Sequence, residues 1–161
     1  LTLVKSGASC GMRLTVHTDY ALRVLMYLAV HPQPMPTIGE IAASYGVSRA
    51  HLMKVAYQLG LAGYIETVRG KKGGLRLARP PGEIGIGAVV RHTEPDFTLV
   101  PCFDPECGAC VLTPDCLLRG ALYQARAAFL EVLDRYTLAD LTANRAALAP
   151  LLDRGTPLAH A

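Results

Sequence analysis

At 161 residues, 51% of them hydrophobic, the chain is too apolar for a disordered protein and long enough for one good core, or for a small domain with an appended arm. The net charge of +3 conceals a split: residues 1–80 hold ten Lys/Arg against three Asp/Glu, and residues 81–161 hold six against ten, so a polyanion is expected to meet the first half. The best uncharged apolar run, Val24–Gly39, is broken by Pro32, Pro34 and Pro36, which argues against a membrane span, and Leu1–Gly11 lacks the apolar stretch of an export signal, so a cytoplasmic protein with reduced thiols is expected.

Residues 1–11 show no pattern and are expected to be a disordered extension. Residues 12–80 then read as a winged helix-turn-helix domain. Thr18 is the expected cap of a first helix, whose apolar positions Ala21, Val24, Leu25, Leu28 and Ala29 share a face until His31-Pro32 ends it. Thr37-Ile-Gly-Glu40 is a capping box that starts a short second helix, which runs to Tyr45 and is stopped by Gly46 in a left-handed turn. Ser48 caps a third helix with Leu52, Val55, Ala56 and Leu59 facing inward. Two short helices joined by a glycine turn describe a helix-turn-helix, although an ordinary helical hairpin shares that outline. The outer face of the third helix favours the first: it carries Arg49, His51, Lys54 and Tyr57, with no acid between Glu40 and Glu66. Tyr64–Arg69, Gly70-Lys-Lys-Gly-Gly74 and Leu75–Arg79 then give strand, turn and strand, a hairpin bearing Arg69, Lys71, Lys72, Arg76 and Arg79. A basic hairpin in that place is a wing. The glycine turn lacks the Lys-Ser/Thr ending and the following helix of a phosphate-binding enzyme loop.

Residues 81–116 are expected to hold a short helix, Ile86–Thr93, and a cysteine loop. Four of the five cysteines fall in that loop, at Cys102, Cys107, Cys110 and Cys116, among prolines and a glycine that forbid a regular helix. Thiolate is the ligand that zinc and iron–sulfur clusters select, so a metal or cluster is expected. Structural zinc alone, disulfides and plain free thiols are the other readings. Residues 117–161 open with a long helix whose apolar positions Leu118, Leu122, Ala125, Phe129, Val132 and Tyr136 form one stripe. The simplest partner for that stripe is a second copy of itself, and packing onto its own winged helix is the alternative. Thr137-Leu-Ala-Asp140 caps a final short helix, and Ala146–Ala161 reads as a tail. The expected fold is mainly α with a small β-wing: a winged helix-turn-helix plus a long dimerisation helix. With no Ser/His/Asp arrangement, no paired carboxylates in an apolar setting and no dinucleotide loop, the chain is not expected to be an enzyme.

Several stretches carry a resemblance as well. Met12-Arg-Leu-Thr15 followed by His17-Thr-Asp-Tyr-Ala-Leu-Arg23 resembles the opening of the winged-helix iron–sulfur regulators of the IscR/NsrR family. So do Tyr45–Arg49, Ala62–Ile65, Val68–Lys71, Gly73–Leu77 and Asp134–Leu141, and the likeness runs from Met12 to Leu152. Within the family it is closer to the nitric-oxide-sensing NsrR type. Ser48-Arg-Ala-His-Leu-Met-Lys54 is similar to that type's recognition helix, and Cys102, Cys110 and Cys116 resemble its loop with a longer first interval. The IscR type places a ligand histidine where this chain has Arg119. The resemblance implies a homodimeric repressor on a near-palindromic double-stranded DNA operator, with Ser48, Arg49, His51, Lys54 and Tyr57 at the bases and Arg69, Lys71 and Lys72 of the wing on phosphates or in the minor groove. It also implies one iron–sulfur cluster per protomer, 4Fe–4S before 2Fe–2S, held by Cys102, Cys110 and Cys116 with Asp19 as fourth ligand. Nitric oxide would attack the iron and release the DNA. Cys107 departs from the pattern: it completes a Cys-x4-Cys-x2-Cys spacing known from plant-type ferredoxins and is the alternative ligand in place of Cys110 or Asp19.

Overall fold

The computed structural model describes residues 13–103, 110–112 and 115–154. The expected extension at residues 1–11 lies outside them. Seven helices and one hairpin follow in the order α1 Val16–Val30, α2 Ile38–Tyr45, α3 Arg49–Leu61, β1 Ile65–Val68, β2 Gly74–Leu77, α4 Ile86–Thr93, α5 Leu117–Asp134, α6 Leu138–Leu141 and α7 Arg145–Asp153. Short 3-10 turns cover Pro81–Glu83 and Pro101–Phe103.

One apolar core joins these elements. Leu25 and Leu28 of α1 meet Ile41 of α2, Leu52, Val55 and Leu59 of α3, Leu75 of β2, Val89 and Val90 of α4, and Leu138 of α6. Each such side chain, removed from water, is worth about 1.5–3 kcal/mol. The cap of α1 is Thr15 rather than Thr18. The Thr18 N–H donates to Thr15 Oγ1 at 3.3 Å, while Thr15 N–H donates to Glu94 Oε1 at 2.7 Å. Thr18 is instead fully buried, and its hydroxyl donates to Thr93 Oγ1 at 2.8 Å. The Thr93 hydroxyl in turn donates to the Val89 carbonyl at 3.0 Å. The start of α1 is thus fastened to the end of α4, and the contact with α4 decides which threonine caps.

The capping box of α2 forms as expected. Thr37 N–H donates to Glu40 Oε2 at 2.6 Å and Glu40 N–H to Thr37 Oγ1 at 3.2 Å, and the Thr37 backbone N–H, with the Thr37 hydroxyl second, holds the Glu40 carboxyl below its ordinary range. Gly46 takes φ 63°, the left-handed stop. The hairpin strands are antiparallel, with Ile65 opposite Leu77 and Val68 opposite Gly74. The connector before α2 lies along the second strand, where Leu75 N–H donates to the Pro36 carbonyl at 2.8 Å. A Cβ at Gly74 would stand 2.7 Å from the carbonyl oxygens of both Met35 and Pro36. Backbone cannot yield as a side-chain tip can, so Gly74→Ala is expected to lower stability by about 1–3 kcal/mol in urea unfolding.

Ile86 N–H donates to the Tyr136 carbonyl at 2.9 Å, and Leu138 N–H to the Ile84 carbonyl at 2.8 Å, which places α6 against the start of α4. Arg91 grips Asp134 with both guanidinium NH groups, at 2.5 and 2.6 Å, and holds its carboxyl below the usual range. The long helix ends there, at Asp134, one short turn before Tyr136. Of its apolar residues, Leu130 and Leu133 pack against the core, whereas Leu118, Phe129 and Val132 remain exposed. The stretch expected to be a tail instead forms α7, with Pro150 inside it. Ser44 of α2 donates its hydroxyl to the Leu152 carbonyl, and Leu152 packs on the core. No helix among the described residues is long and apolar enough to cross a membrane.

Candidate functional site

The third helix turns Leu52, Val55, Ala56 and Leu59 into the core, which leaves its opposite face to solvent. On that face Ser48, Arg49, His51, Lys54 and Tyr57 are all exposed, Tyr57 to 65%, and Met53 stands between them. Ser48 has the extended backbone of a cap, but its hydroxyl makes no capping bond and stays available. Gly70, at φ 110°, turns the hairpin, and Arg69, Lys71 and Lys72 are exposed around it. Among the described residues none of these three cations, nor Arg49 or Lys54, has a carboxylate partner.

The other two cations of the hairpin are engaged within the chain. Arg76 pairs with Glu66 across the strands at 2.7 Å. Arg79 donates to the Gly63 carbonyl at 3.0 and 3.1 Å and lies over the Tyr64 ring, 5.0 Å from its centre. It therefore closes the C-terminal end of α3, where carbonyls lack helical partners. The structure thus divides five basic residues that look alike in the sequence into three free ones and two internal fastenings.

The cysteine loop begins at the Pro101–Phe103 turn and ends at the cap of α5. Cys102 and Cys116 are half-buried and Cys110 is exposed, all three as free thiols. Cys116 occupies the cap itself, where its Sγ accepts the Arg119 N–H at 3.4 Å. Beside Cys102, Phe103 stacks on Tyr123 of α5 with ring centres 4.1 Å apart. Arg126 covers both rings, at 5.2 and 4.7 Å, and Arg119 covers Tyr123 at 5.6 Å. This clamp fixes the turn bearing Cys102 to the helix bearing Cys116. The sequence shows Arg119, Tyr123 and Arg126 on one helical face, but nothing local reveals that Phe103 is their partner.

Cys107 lies outside the described residues. Asp19 is described, and its carboxylate pairs with Arg23 at 2.8 Å. Arg23 in turn lies over Tyr45, whose hydroxyl donates to the Arg23 carbonyl at 3.1 Å and is pushed up to about 12 by burial. Among the described residues no three of His, Cys, Asp or Glu are gathered closely enough to hold a metal ion. Asp19 and the three described thiols are therefore not brought together within one chain. An open cavity of about 380 Å³ separates α5, at Arg126 and Phe129, from the lead-in to α1, at Arg13 and Leu14, and from Pro95 and Phe97 after α4.

A helix-turn-helix with an exposed basic third helix, followed at once by a basic two-stranded wing, defines a winged-helix DNA-binding protein. A family profile described as "Rrf2: Iron-dependent Transcriptional regulator" matches residues 14–144. The chain belongs to the Rrf2 family of transcriptional regulators and is of the NsrR type. It is 55% identical over 142 residues to the HTH-type transcriptional regulator NsrR of Geobacillus kaustophilus, a match covering 88% of this chain and 97% of that one. It is 50% identical to NsrR of Bacillus subtilis, with the same coverage. Among solved structures, it is similar to CymR, the global cysteine regulator of B. subtilis, with a TM-score of 0.67, 26% identity and coverage of 83% of this chain and 98% of that one. It is similar also to T. potens IscR, with a TM-score of 0.65, 26% identity and coverage of 85% and 90%.

Proposed function

We propose that the chain acts as a homodimeric repressor that holds a double-stranded DNA operator while an iron–sulfur cluster is bound, and lets it go when nitric oxide arrives. The observation that carries this reading is the pairing, in one small protein, of a cationic surface on α3 and the wing, without carboxylate partners among the described residues, with free thiols at the foot of α5. Ser48, Arg49, His51, Lys54 and Tyr57 meet base edges in the major groove, and Arg69, Lys71 and Lys72 hold phosphates or enter the minor groove. Residues 12–80 form the DNA-reading unit, 81–116 the sensing segment and 117–161 the dimerisation segment.

The donor set suits a cluster. Three thiols on a turn-rich loop are its preferred ligands. In addition Arg119, whose N–H meets the Cys116 sulfur, has a buried Nε with no acceptor among the described residues, which suits an anionic group on that thiol. Cys102, Cys110 and Cys116 would hold the cluster, 4Fe–4S before 2Fe–2S. Asp19 of the second protomer completes the set, and Cys107 is the alternative. When bound, the cluster supplies iron that reacts with nitric oxide. The chain's own contribution is to keep α5 and the thiols in register through the clamp of Phe103, Tyr123 and Arg126. A difference of about 1–3 kcal/mol between the two DNA-competence states is enough for control.

Fluorescence anisotropy of anaerobically purified protein on operator DNA, before and after nitric oxide, tests this, with iron and acid-labile sulfide measured on the same sample. Nanomolar binding that collapses with nitric oxide, on protein containing iron and sulfide, is the expected result. Zinc without sulfide, or binding indifferent to nitric oxide, would refute it. Within the surface, Arg49→Ala is expected to relax base preference along with affinity. Lys71→Ala is expected to weaken all sequences about equally and reduce the salt slope by about 1.

A further inference from the structure

We propose that the cleft between the start of α1 and the middle of α3 is a phosphate subsite, in which His17 donates a hydrogen bond to one backbone phosphate of the bound duplex. The inference rests on the DNA-reading function proposed above. The cleft has a volume of about 230 Å³ and is lined by Val16, His17 and Tyr20 of α1 and by His51, Lys54 and Val55 of α3. His51 and Lys54 belong to the exposed face of α3, so the cleft opens beside the surface assigned to the major groove.

A helix lying in that groove has the bases in front of it and the two phosphate strands as walls. Donors set on a neighbouring helix beside its face meet a wall rather than the floor. His17 is half-buried at the start of a 15-residue helix. The first-turn N–H groups of Val16 and His17 have no helical acceptor, although the Glu94 carboxylate meets the Thr15 N–H at the same end of α1. Thr15 caps Thr18, so its side chain leaves those two donors alone. The one acid in that first turn, Asp19, is neutralised by Arg23 at 2.8 Å. His17 faces a cleft whose far wall carries the base-reading side chains His51 and Lys54, a cationic setting that suits a single oxyanion beside them. A neutral imidazole still offers one N–H, so the contact does not need a charged histidine.

Anisotropy titrations of the full-length, anaerobically purified protein test the subsite. The probes are an operator duplex, a random duplex, and operators with one phosphate at a time replaced by an uncharged methylphosphonate. His17→Ala is expected to weaken operator and random duplexes alike, by about five- to tenfold. The salt slope should stay unchanged, because no obligatory cation is removed, whereas Lys71→Ala should flatten it by about 1. One methylphosphonate position per half-site should cost the wild type a similar factor and cost His17→Ala nothing further. His17→Gln, which keeps a donor, should restore most of the loss. Wild-type affinity in His17→Ala, or methylphosphonate losses that are identical in both proteins at every position, would overturn the subsite while leaving DNA reading intact. A wild-type protein that binds no duplex would overturn both.

Discussion

The Phe129→Asp variant is expected to sediment as a monomer at concentrations where the proposed dimer of the parent protein forms. Phe129 is 40% exposed on the single chain, and Val132, one turn further along α5, is 48% exposed. The helix leans on its own domain through Leu130 and Leu133 instead. An aspartate at position 129 therefore costs the isolated fold little, and Arg126, one turn back, is placed to pair with it. In a two-fold dimer built on the exposed stripe the same carboxylate is buried without that freedom, and it appears once from each copy. Stranding a buried charge costs about 3–5 kcal/mol, so a loss of more than a hundredfold in dimer affinity is expected. The helical circular dichroism signal should survive. A dimer of undiminished strength would mean that the copies meet elsewhere.

Loss of the proposed cluster should separate the proposed loop ligands from Asp19. Cys102→Ser and Cys116→Ser are each expected to give nearly colourless protein with little iron or sulfide, because each removes a thiolate at one end of the aromatic clamp. Asp19→Ala should keep the fold: its pair with Arg23 is partly exposed, and such pairs contribute only about 0–1 kcal/mol. Its visible absorbance and its rate of reaction with nitric oxide should nonetheless change, since oxygen is a weaker hold on iron than thiolate. Cys107→Ala is the comparison. If Asp19→Ala leaves both readouts untouched while Cys107→Ala loses the cluster, the ligands are all cysteines.

What could be read from the sequence is the chemistry that acts over three or four residues. The boxes at Thr37–Glu40 and Thr137–Asp140, the stop at Gly46, the inner stripe of α3 and the helix Ile86–Thr93 all stand where their spacing puts them. What escaped depends on distant partners. Thr15 and Thr18 can both cap a helix, and the choice is made by Glu94 and Thr93, far along the chain. Pro150 argues against a helix, yet α7 forms because Ser44 and the core receive Leu152. The same limit applies to the candidate site. The cysteine loop and the basic face announce themselves by composition, but the clamp on Cys102 and the internal duties of Arg76 and Arg79 exist only once the chain is folded.

The fastening of Arg79 to the end of α3 has a consequence for how the signal can be expressed. Helix α3 closes at Gly63, and the residue that closes it stands just past β2, where the chain leaves the hairpin. The other edge of that strand is stitched to the connector ahead of α2. Helix and wing are thereby fastened together as one jaw. In the proposed homodimer, two such jaws work as a caliper. What the sensing loop can alter is the gap and the angle between them, so the signal would be felt as a change in which half-site spacing fits, with each half-site still read by the same residues.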